Sequence, residues 1–549
     1  MNTCFDHVIK HKIERASDLL VSVSAHADIH KTKMIDLAFT ASEELRLMAQ
    51  EREPLWIFDV DKGSEALNMA EYNRRFASLD PSLEQIIRFI TKGDPSDLSI
   101  LNEINGLPSE NGFISSCMTE NTNSEASRAI GVVFRNPISL VNMLMDVDKW
   151  SEIFSNIVSK AINLAVLSAG NKENPNGSMQ VMMAEFHVPC PLAKAQKMYF
   201  VRYTRQIDSS TWVVADVSLE AIFPTPSPAC QRKPSGCIIQ ALQDGLSVVT
   251  WVEHNTVLYN DVVHYMSKGL LRSGSAFSAK RWISSLERQY DRIATLEANN
   301  VSTSSNIPSK EGIGIGARNG LLKLAARMVR RFNSNIFSNG WRALGVAGAE
   351  EIMIKTRCNV DDPEIPAGVA VTIATSVWLP AKHIDVFSFL QNEQNRNKWD
   401  ILSDGLEIEE VIRISSARNS TDSVSVISVQ SSSARRGITY LQESFSDSTA
   451  HYVVYSPVDV PTMHHILQGG SAEDSEGIYI LPSGFAVIPY EDGKATVLSV
   501  AFEVMELMDQ QQLIMPSQDH QLSSQSLFVA YSLVTETISR IRTALLPKL

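Results

Sequence analysis

Residues 198–219 read MYFVRYTRQIDSSTWVVADVSL. Two runs rich in aromatic and β-branched residues flank a polar Gln-Ile-Asp-Ser-Ser turn, which is a β-hairpin pattern. Residues 439–459, TYLQESFSDSTAHYVVYSPVD, repeat it, with Ser and Asp in the turn. The match continues in both directions. Upstream, Ala129 to Phe134 is strand-like and leads through Pro137 into a helix ending Lys149-Trp150-Ser151. Its counterpart is Val369 to Ile373, then Pro380, then a helix ending Lys398-Trp399-Asp400. Downstream, Lys233-Pro-Ser-Gly-Cys-Ile-Ile239 answers Leu481-Pro-Ser-Gly-Phe-Ala-Val487, and another strand follows each, Ser247 to Glu253 and Thr496 to Glu503. Both halves close with a long amphipathic stretch, Phe277 to Leu296 and about Ser524 to Leu545. Self-similarity of this kind identifies architecture before any motif does.

The expected fold is therefore α+β: two tandem helix-grip domains, each a curved antiparallel sheet closed by a long C-terminal helix. A straight helix over a concave sheet tends to leave a cavity. The second cavity is expected to be smaller, since Tyr440, Tyr452, Tyr455 and Phe485 supply bulk to fill it. The expected division is a tail at 1–32, a first domain at 33–297, a flexible linker at 298–320 and a second domain at 321–549. Ser, Asn, Gly and Pro dominate that linker, a composition that buries no core. Within the first domain a helix is expected from Lys33 to Glu51 and another from about Glu65 to Phe76. Ser78 to Asn123, with Pro81, Pro95 and Pro108, reads as helical pieces between loops. After the linker comes a helix with Leu321, Leu324, Ala325, Met328, Phe332 and Ile336 on one face. Lys323, Arg327, Arg330 and Arg331 lie opposite, a solvated face by the plainer reading, a nuclear-import patch or anionic-surface contact by the other.

Composition narrows the function classes. The 549 residues carry 49 Lys and Arg against 62 Asp and Glu, net −13, so a broad positive field for nucleic acid is not expected. No run of about 18 apolar residues marks a membrane span, and no secretory signal opens the chain. The six cysteines, Cys4, Cys117, Cys190, Cys230, Cys237 and Cys358, are scattered without a CxxC pair and read as intracellular thiols. There is no P-loop, no GxSxG elbow and no HExxH; the glycines at 312, 314, 316 and 320 lack dinucleotide-binding spacing. His254 with His264, and His464 with His465, lack a third zinc ligand. No enzyme, no cofactor and no metal are expected.

Charges inside the strands are more informative. Side chains alternate, so Phe200, Arg202 and Thr204 share one face of their strand, and Asp216 shares a face with Trp212 and Val214. Glu185 is embedded in Met-Met-Ala-Glu-Phe. Two readings stay open: the solvated face of a one-sided sheet, or a buried Glu185–Arg202 pair anchoring the head group of an amphipathic ligand. On the second reading the cavity is lined by Trp212, Val214, Trp251, Phe277 and Trp282, with Asp216 beside the pair.

Taken together, GFISSCMTENTNSEASRAIGVV (112–133), LVNMLMDVDKWSEIF (140–154), YFVRYTRQ (199–206), WVVADVSLE (212–220), RKPSGCIIQ (232–240), VTWVEH (249–254) and RWISSLERQ (281–289) resemble the START (steroidogenic acute regulatory-related) lipid-transfer domain of plant class IV homeodomain–leucine zipper transcription factors. LLKLAARM, ATSVWLP, RNKWDILSDG, VVYSPVDVP, LPSGFAVIP and VAFEV are similar to the region that follows START in those proteins. The resemblance covers about nine tenths of the chain. It implies a non-catalytic transcriptional regulator that binds a lipid or sterol of unknown identity, forms homo- or heterodimers with family members, and works in the nucleus, with the cytoplasm as alternative. The family's homeodomain and zipper would precede Lys33, where residues 1–32 hold no basic recognition helix and no sustained heptads. Direct DNA binding by this chain is accordingly not expected; the alternative is a DNA-binding factor acting through a partner.

Overall fold

The computed structural model describes residues 27–59, 64–76, 122–193, 195–222, 230–258, 276–297, 303–305, 313–337, 340–344, 351–359, 368–416, 421–430, 437–447, 449–469, 478–490, 493–507 and 524–546. Most of the tail, the stretch Ser78–Asn123 up to residue 121, and Cys4, Cys117 and His264 lie outside them.

The chain enters through α1 (Ala27–Gln50), six residues ahead of the expected start. A small hairpin follows, β1 (Trp56–Asp59) with β2 (Ser64–Leu67), pairing Trp56 with Leu67. That pairing takes the first residues of the helix expected from Glu65. The helix, α2, runs instead over Met69–Phe76, with Asn68 Oδ1 accepting from the Glu71 amide at 3.2 Å.

The first sheet is built from β3 (Thr122–Val133), β4 (Val158–Ser168), β5 (Met179–Phe186), β6 (Gln196–Gln206), β7 (Thr211–Ser218), β8 (Cys230–Arg232), β9 (Ser235–Ala241) and β10 (Ser247–Leu258). Its order is β3-β10-β9-β7-β6-β5-β4, antiparallel throughout, with β8 added beside β10. Two short helices connect β3 to β4: α3 (Pro137–Met145), capped by Asn136 with Pro137 in its first turn, and α4 (Val147–Ile153), capped by Asp146. The sheet is not one-sided. Met182, Phe186, Phe200, Trp212, Val214 and Trp251 face a core closed by α3, α4 and α5 (Ala279–Glu297). On the other face Val181, Val201, Val213, Ala215, Ile238 and Val252 pack under α1 and the β1–β2 hairpin. Every residue of β7 is buried, the mark of a strand covered on both sides.

The second half begins inside the expected linker. β11 (Thr303–Ser305) is a strand, and α6 (Ile315–Phe337) starts at Ile315, six residues before the expected boundary. Next come β12 (Arg342–Ala343), β13 (Met353–Asn359), β14 (Gly368–Leu379), α7 (His383–Gln391), α8 (Arg396–Trp399), β15 (Glu407–Ser415), β16 (Ser423–Gln430), β17 (Ile438–Ser446), β18 (His451–Val458), α9 (Val460–Leu467), β19 (Ser483–Tyr490), β20 (Ala495–Leu507) and α10 (Ser524–Leu545). The sheet order is β11-β15-β16-β17-β18-β19-β20-β14-β13-β12. Its central stretch, read from β14 back to β15, reproduces the first sheet strand for strand.

The cations of α6 fit the solvated-face reading only in part. Arg331 forms a two-pronged pair with Glu503 at 2.6 and 2.9 Å, Arg327 donates to the Ile478 carbonyl and Arg330 pairs with Glu152. Lys323 is exposed. The opposite face, with Leu321, Leu324, Met328 and Phe332, is buried between the two sheets, where α6 touches α5 and β4 on one side and β14, β16, β17 and β18 on the other. One continuous apolar core therefore runs from the first sheet into the back of the second.

Candidate functional site

The concave face of the first sheet, under α5, gathers most of the residues singled out from the sequence. Arg202 and Asp216 face each other across the β6–β7 register and are both about 2% exposed. Their contact is bidentate, Nε to Oδ1 at 2.7 Å and Nη2 to Oδ2 at 2.8 Å, and Arg202 Nη1 donates to the Leu144 carbonyl at 2.6 Å. The guanidinium lies over the Trp150 ring, 4.2 Å from its centroid.

Glu185 is not its partner. In the β5–β6 register Glu185 is opposite Lys197, while Arg202 is opposite Gln180. Glu185 is also half-buried and shares a face with Val181 and Met183, not with the inward Met182, Ala184 and Phe186. Five residues of strand separate the two pairs, roughly 16 Å. The expected Glu185–Arg202 anchor is thus corrected to Arg202–Asp216.

Two charged residues that the sequence did not single out complete the group. Arg232 of β8 forms a two-pronged pair with Glu253 of β10, at 2.9 and 2.8 Å, and approaches Asp216 Oδ2 at 3.4 Å. Glu253 also accepts from Trp251 Nε1 at 2.8 Å and Asn255 Nδ2 at 3.3 Å. Burial pushes its carboxyl up, an effect that the Arg232 guanidinium offsets only in part. The result is two guanidiniums and two carboxyls in one chain, Arg202–Asp216–Arg232–Glu253. Burial likewise lifts the neighbouring Cys237 thiol far above its usual range.

The apolar residues around it meet one another. Trp282 stacks on Trp251 at 5.0 Å and on Trp150 at 5.9 Å, and Phe154 tilts against Trp282 at 4.8 Å. Phe186 and Phe200 close the cluster, and Trp212, Val214 and Phe277 are buried in the same core. The side chains expected to line an open cavity thus form a packed aromatic interior, with the four-charge chain as its polar floor.

The second half has its own version. The Pro-Ser-Gly turns align Gly236 with Gly484, and counting outward through the strand registers puts Gln442 where Arg202 is and Tyr455 where Asp216 is. The arginine comes from α8 instead. Arg396 bonds Asp400 at 2.9 Å and Gln442 at 3.1 Å, and covers Trp399, Tyr440 and Tyr455. Phe485 joins these rings at 5.1 Å from Trp399. Tyr452, expected among them, faces the other way and stacks on Phe445 at 4.7 Å. Among the described residues no His, Cys, Asp and Glu converge to hold a metal ion, and no helix is long and apolar enough to cross a membrane.

Residues 108–292 match the model of the START domain, and residues 315–546 match that of the PDF2-like, C-terminal domain. Homeobox-leucine zipper protein HDG12 of Arabidopsis thaliana is 33% identical over 527 residues, which cover 94% of this chain and 69% of that protein. The chain belongs to the plant homeobox-leucine zipper family, class IV. Among its other relatives, Homeobox-leucine zipper protein HDG1 of Arabidopsis thaliana is 36% identical over 464 residues, 84% of this chain and 52% of HDG1. Homeobox-leucine zipper protein ROC8 of Oryza sativa subsp. japonica is 30% identical over 555 residues, 94% of this chain and 71% of ROC8. The chain spans 52% of HDG1 and 60% of ANTHOCYANINLESS 2. The lipid transfer and protein localization domain of human StarD13 covers 38% of this chain over 91% of its own length, at 14% identity and a TM-score of 0.24. In this homeobox-leucine zipper chain the START match ends inside α5, and the C-terminal match begins at the first residue of α6.

Proposed function

We propose that this chain is a lipid-binding, non-catalytic regulatory module, composed of two helix-grip domains in tandem, of which the first takes the ligand. One observation carries the reading. Four charged groups are kept inside an aromatic core beneath a closing helix, although well-packed apolar residues would be as stable or more so there. Such a group suits the polar head of an otherwise apolar molecule, a lipid or sterol, whose body would take the place of ring–ring contacts around Trp282. Arg202, Asp216, Arg232 and Glu253 would meet the head, and Trp212, Val214, Trp251, Phe277 and Trp282 the apolar body. The identical strand order of the two sheets supports the tandem reading. Kinship with homeobox-leucine zipper proteins supports a role in transcription in the nucleus, as a homo- or heterodimer with family members.

Native mass spectrometry of the purified chain, before and after denaturing extraction, tests the assignment. A lipid that co-purifies, or is taken up from mixed vesicles, is expected. It should be lost in Arg232→Met/Glu253→Gln, which removes both charges while keeping the side-chain volumes. Failure to retain or take up any lipid, or unchanged retention by the double variant, overturns it.

A further inference from the structure

A cavity of about 210 Å³ lies where α5 crosses the back of the second sheet, away from the concave face described above. One face of α5 supplies Glu287, Arg288, Asp291 and Arg292, and the strands supply Asp422 and Glu443. Among the described residues four carboxyls therefore meet two guanidiniums, and both guanidiniums are already engaged. Arg292 pairs with Glu443 Oε1 and donates to the Leu322 carbonyl at 3.2 Å. Arg288 lies over the Phe445 ring at 3.9 Å and is 3.9 Å from Glu443. Two of the acids also have other partners: Glu287 accepts from the Val132 amide at 3.2 Å, and Asp291 from Ser416 Oγ at 2.5 Å.

Among the described residues the strands bring Asp422 and Glu443 to the cavity and no cation. The Glu443 side chain is 3% exposed, lines the cavity, and its Oε2 accepts no hydrogen bond among the described residues. A buried carboxylate oxygen without a donor is costly. Asp422 carries the same sign of strain: burial, with Glu443 nearby, pushes its carboxyl up to about 6 in spite of Arg288. The other walls are hydrocarbon, from Leu322, Ile414 and Val424. No metal-ligating trio converges here among the described residues.

We infer that this cavity binds a small aliphatic amine, its ammonium held between Glu443 Oε2 and Asp422 and its stem lying on Leu322, Ile414 and Val424. An ammonium supplies the donor that Glu443 Oε2 lacks together with a positive charge, and the volume admits a short stem but no lipid. The site joins the closing helix of one half to the sheet of the other.

Thermal melts and saturation-transfer NMR of the full chain, at constant ionic strength and with millimolar pentylammonium, test this against 1-pentanol as neutral isostere. Pentylammonium is expected to raise the Tm and to show transfer, and pentanol to do neither. Asp422→Asn should weaken the apparent affinity about tenfold, the worth of one charge-assisted contact. Ser284→Trp, a half-buried helix position on the cavity wall, should abolish binding without touching either acid. No response by the parent, an equal response to pentanol, or parent-like binding by both variants overturns the inference; the last would mean ion pairing to an acidic surface only.

Discussion

Arg202 and Asp216 are each other's counter-ion inside a core of indoles and phenyl rings, and the arrangement has a cost that mutation exposes. Arg202→Leu leaves Asp216 with only the longer contact to Arg232, and an uncompensated buried charge typically costs about 3–5 kcal/mol. Urea unfolding should show a loss of that order. Arg202→Leu/Asp216→Leu should recover part of it, since Arg232 and Glu253 remain a balanced pair. An Arg202→Leu variant as stable as the parent would disprove the network. The reach of sequence reasoning is visible at these same residues. Strand alternation sets Arg202 on the face of Phe200 and Asp216 on that of Trp212 and Val214, and packing decides that this face is the inner one. Glu253, two residues from Trp251 on the same face of β10, carries the same alternation signal. Arg232 had none, because β8 joins β10 only through tertiary pairing.

At the scale of elements, the two Pro-Ser-Gly turns show why the repeat keeps its glycines. Gly236 has φ +129°, where other residues are strained, and a Cβ there would run into the Val214 carbonyl of β7. A Cβ on Gly484 would meet the Val453 carbonyl of β18, the equivalent atom of the other sheet, although that backbone is not in the left-handed region. Gly236→Ala should therefore destabilise by about 2–4 kcal/mol, from overpacking plus backbone strain, and Gly484→Ala by less, from overpacking alone. Chemical denaturation of the two variants side by side checks the ranking. Equal or negligible effects would mean that the strands separate easily at that point.

The whole molecule is held by α5, which has a core on both sides. Its inner face carries Trp282, Ile283, Leu286 and Tyr290 into the first half. Its outer face carries Arg281 toward Asp447, 3.7 Å away with neither side chain exposed beyond 2%, and Asn156 donates to the same carboxylate at 3.0 Å. Arg281 holds the Asp447 carboxyl below its usual range against the effect of burial. Asp447→Ala should cost about 3–5 kcal/mol and speed hydrogen exchange in both 279–297 and 437–458; exchange confined to one half would refute the shared anchor. The junction should also respond to pH. Asp422 is raised to about 6 from 3.8, so the folded state binds more protons than the unfolded one between these values. Stability from this group is therefore greatest at low pH and is lost as pH rises through roughly 4 to 6. His451, lowered to about 4 by burial with a further push from His383, acts oppositely, losing stability as pH falls from 6.5 toward 4. The difference between parent and Asp422→Asn isolates the first effect. The variant should gain relative to the parent as pH rises from 4 to 7.5, and a flat difference would refute the assignment.

The hairpin pattern of 198–219, its echo at 439–459 and the long amphipathic closers are enough to place the strands along the chain and to end each half with a helix, while the order of strands within each sheet is set by tertiary pairing. Alternation and helical periodicity are local properties, and each segment carries them whatever surrounds it. Which charge meets which depends on register across three strands, and a shift of a few residues moves a partner by more than a hydrogen bond can span; hence alternation does not separate a Glu185–Arg202 pair from the Arg202–Asp216 pair that forms. The second layer of helix on each sheet was equally out of reach. α1 and α6 read as ordinary amphipathic helices, and only packing shows that α6 lies between two sheets, with Arg327, Arg330 and Arg331 engaged in ion pairs and a carbonyl contact. The packed interior around Trp282 is likewise a matter of tertiary structure, because the number of rings under a helix is written in the sequence but the space left between them is not.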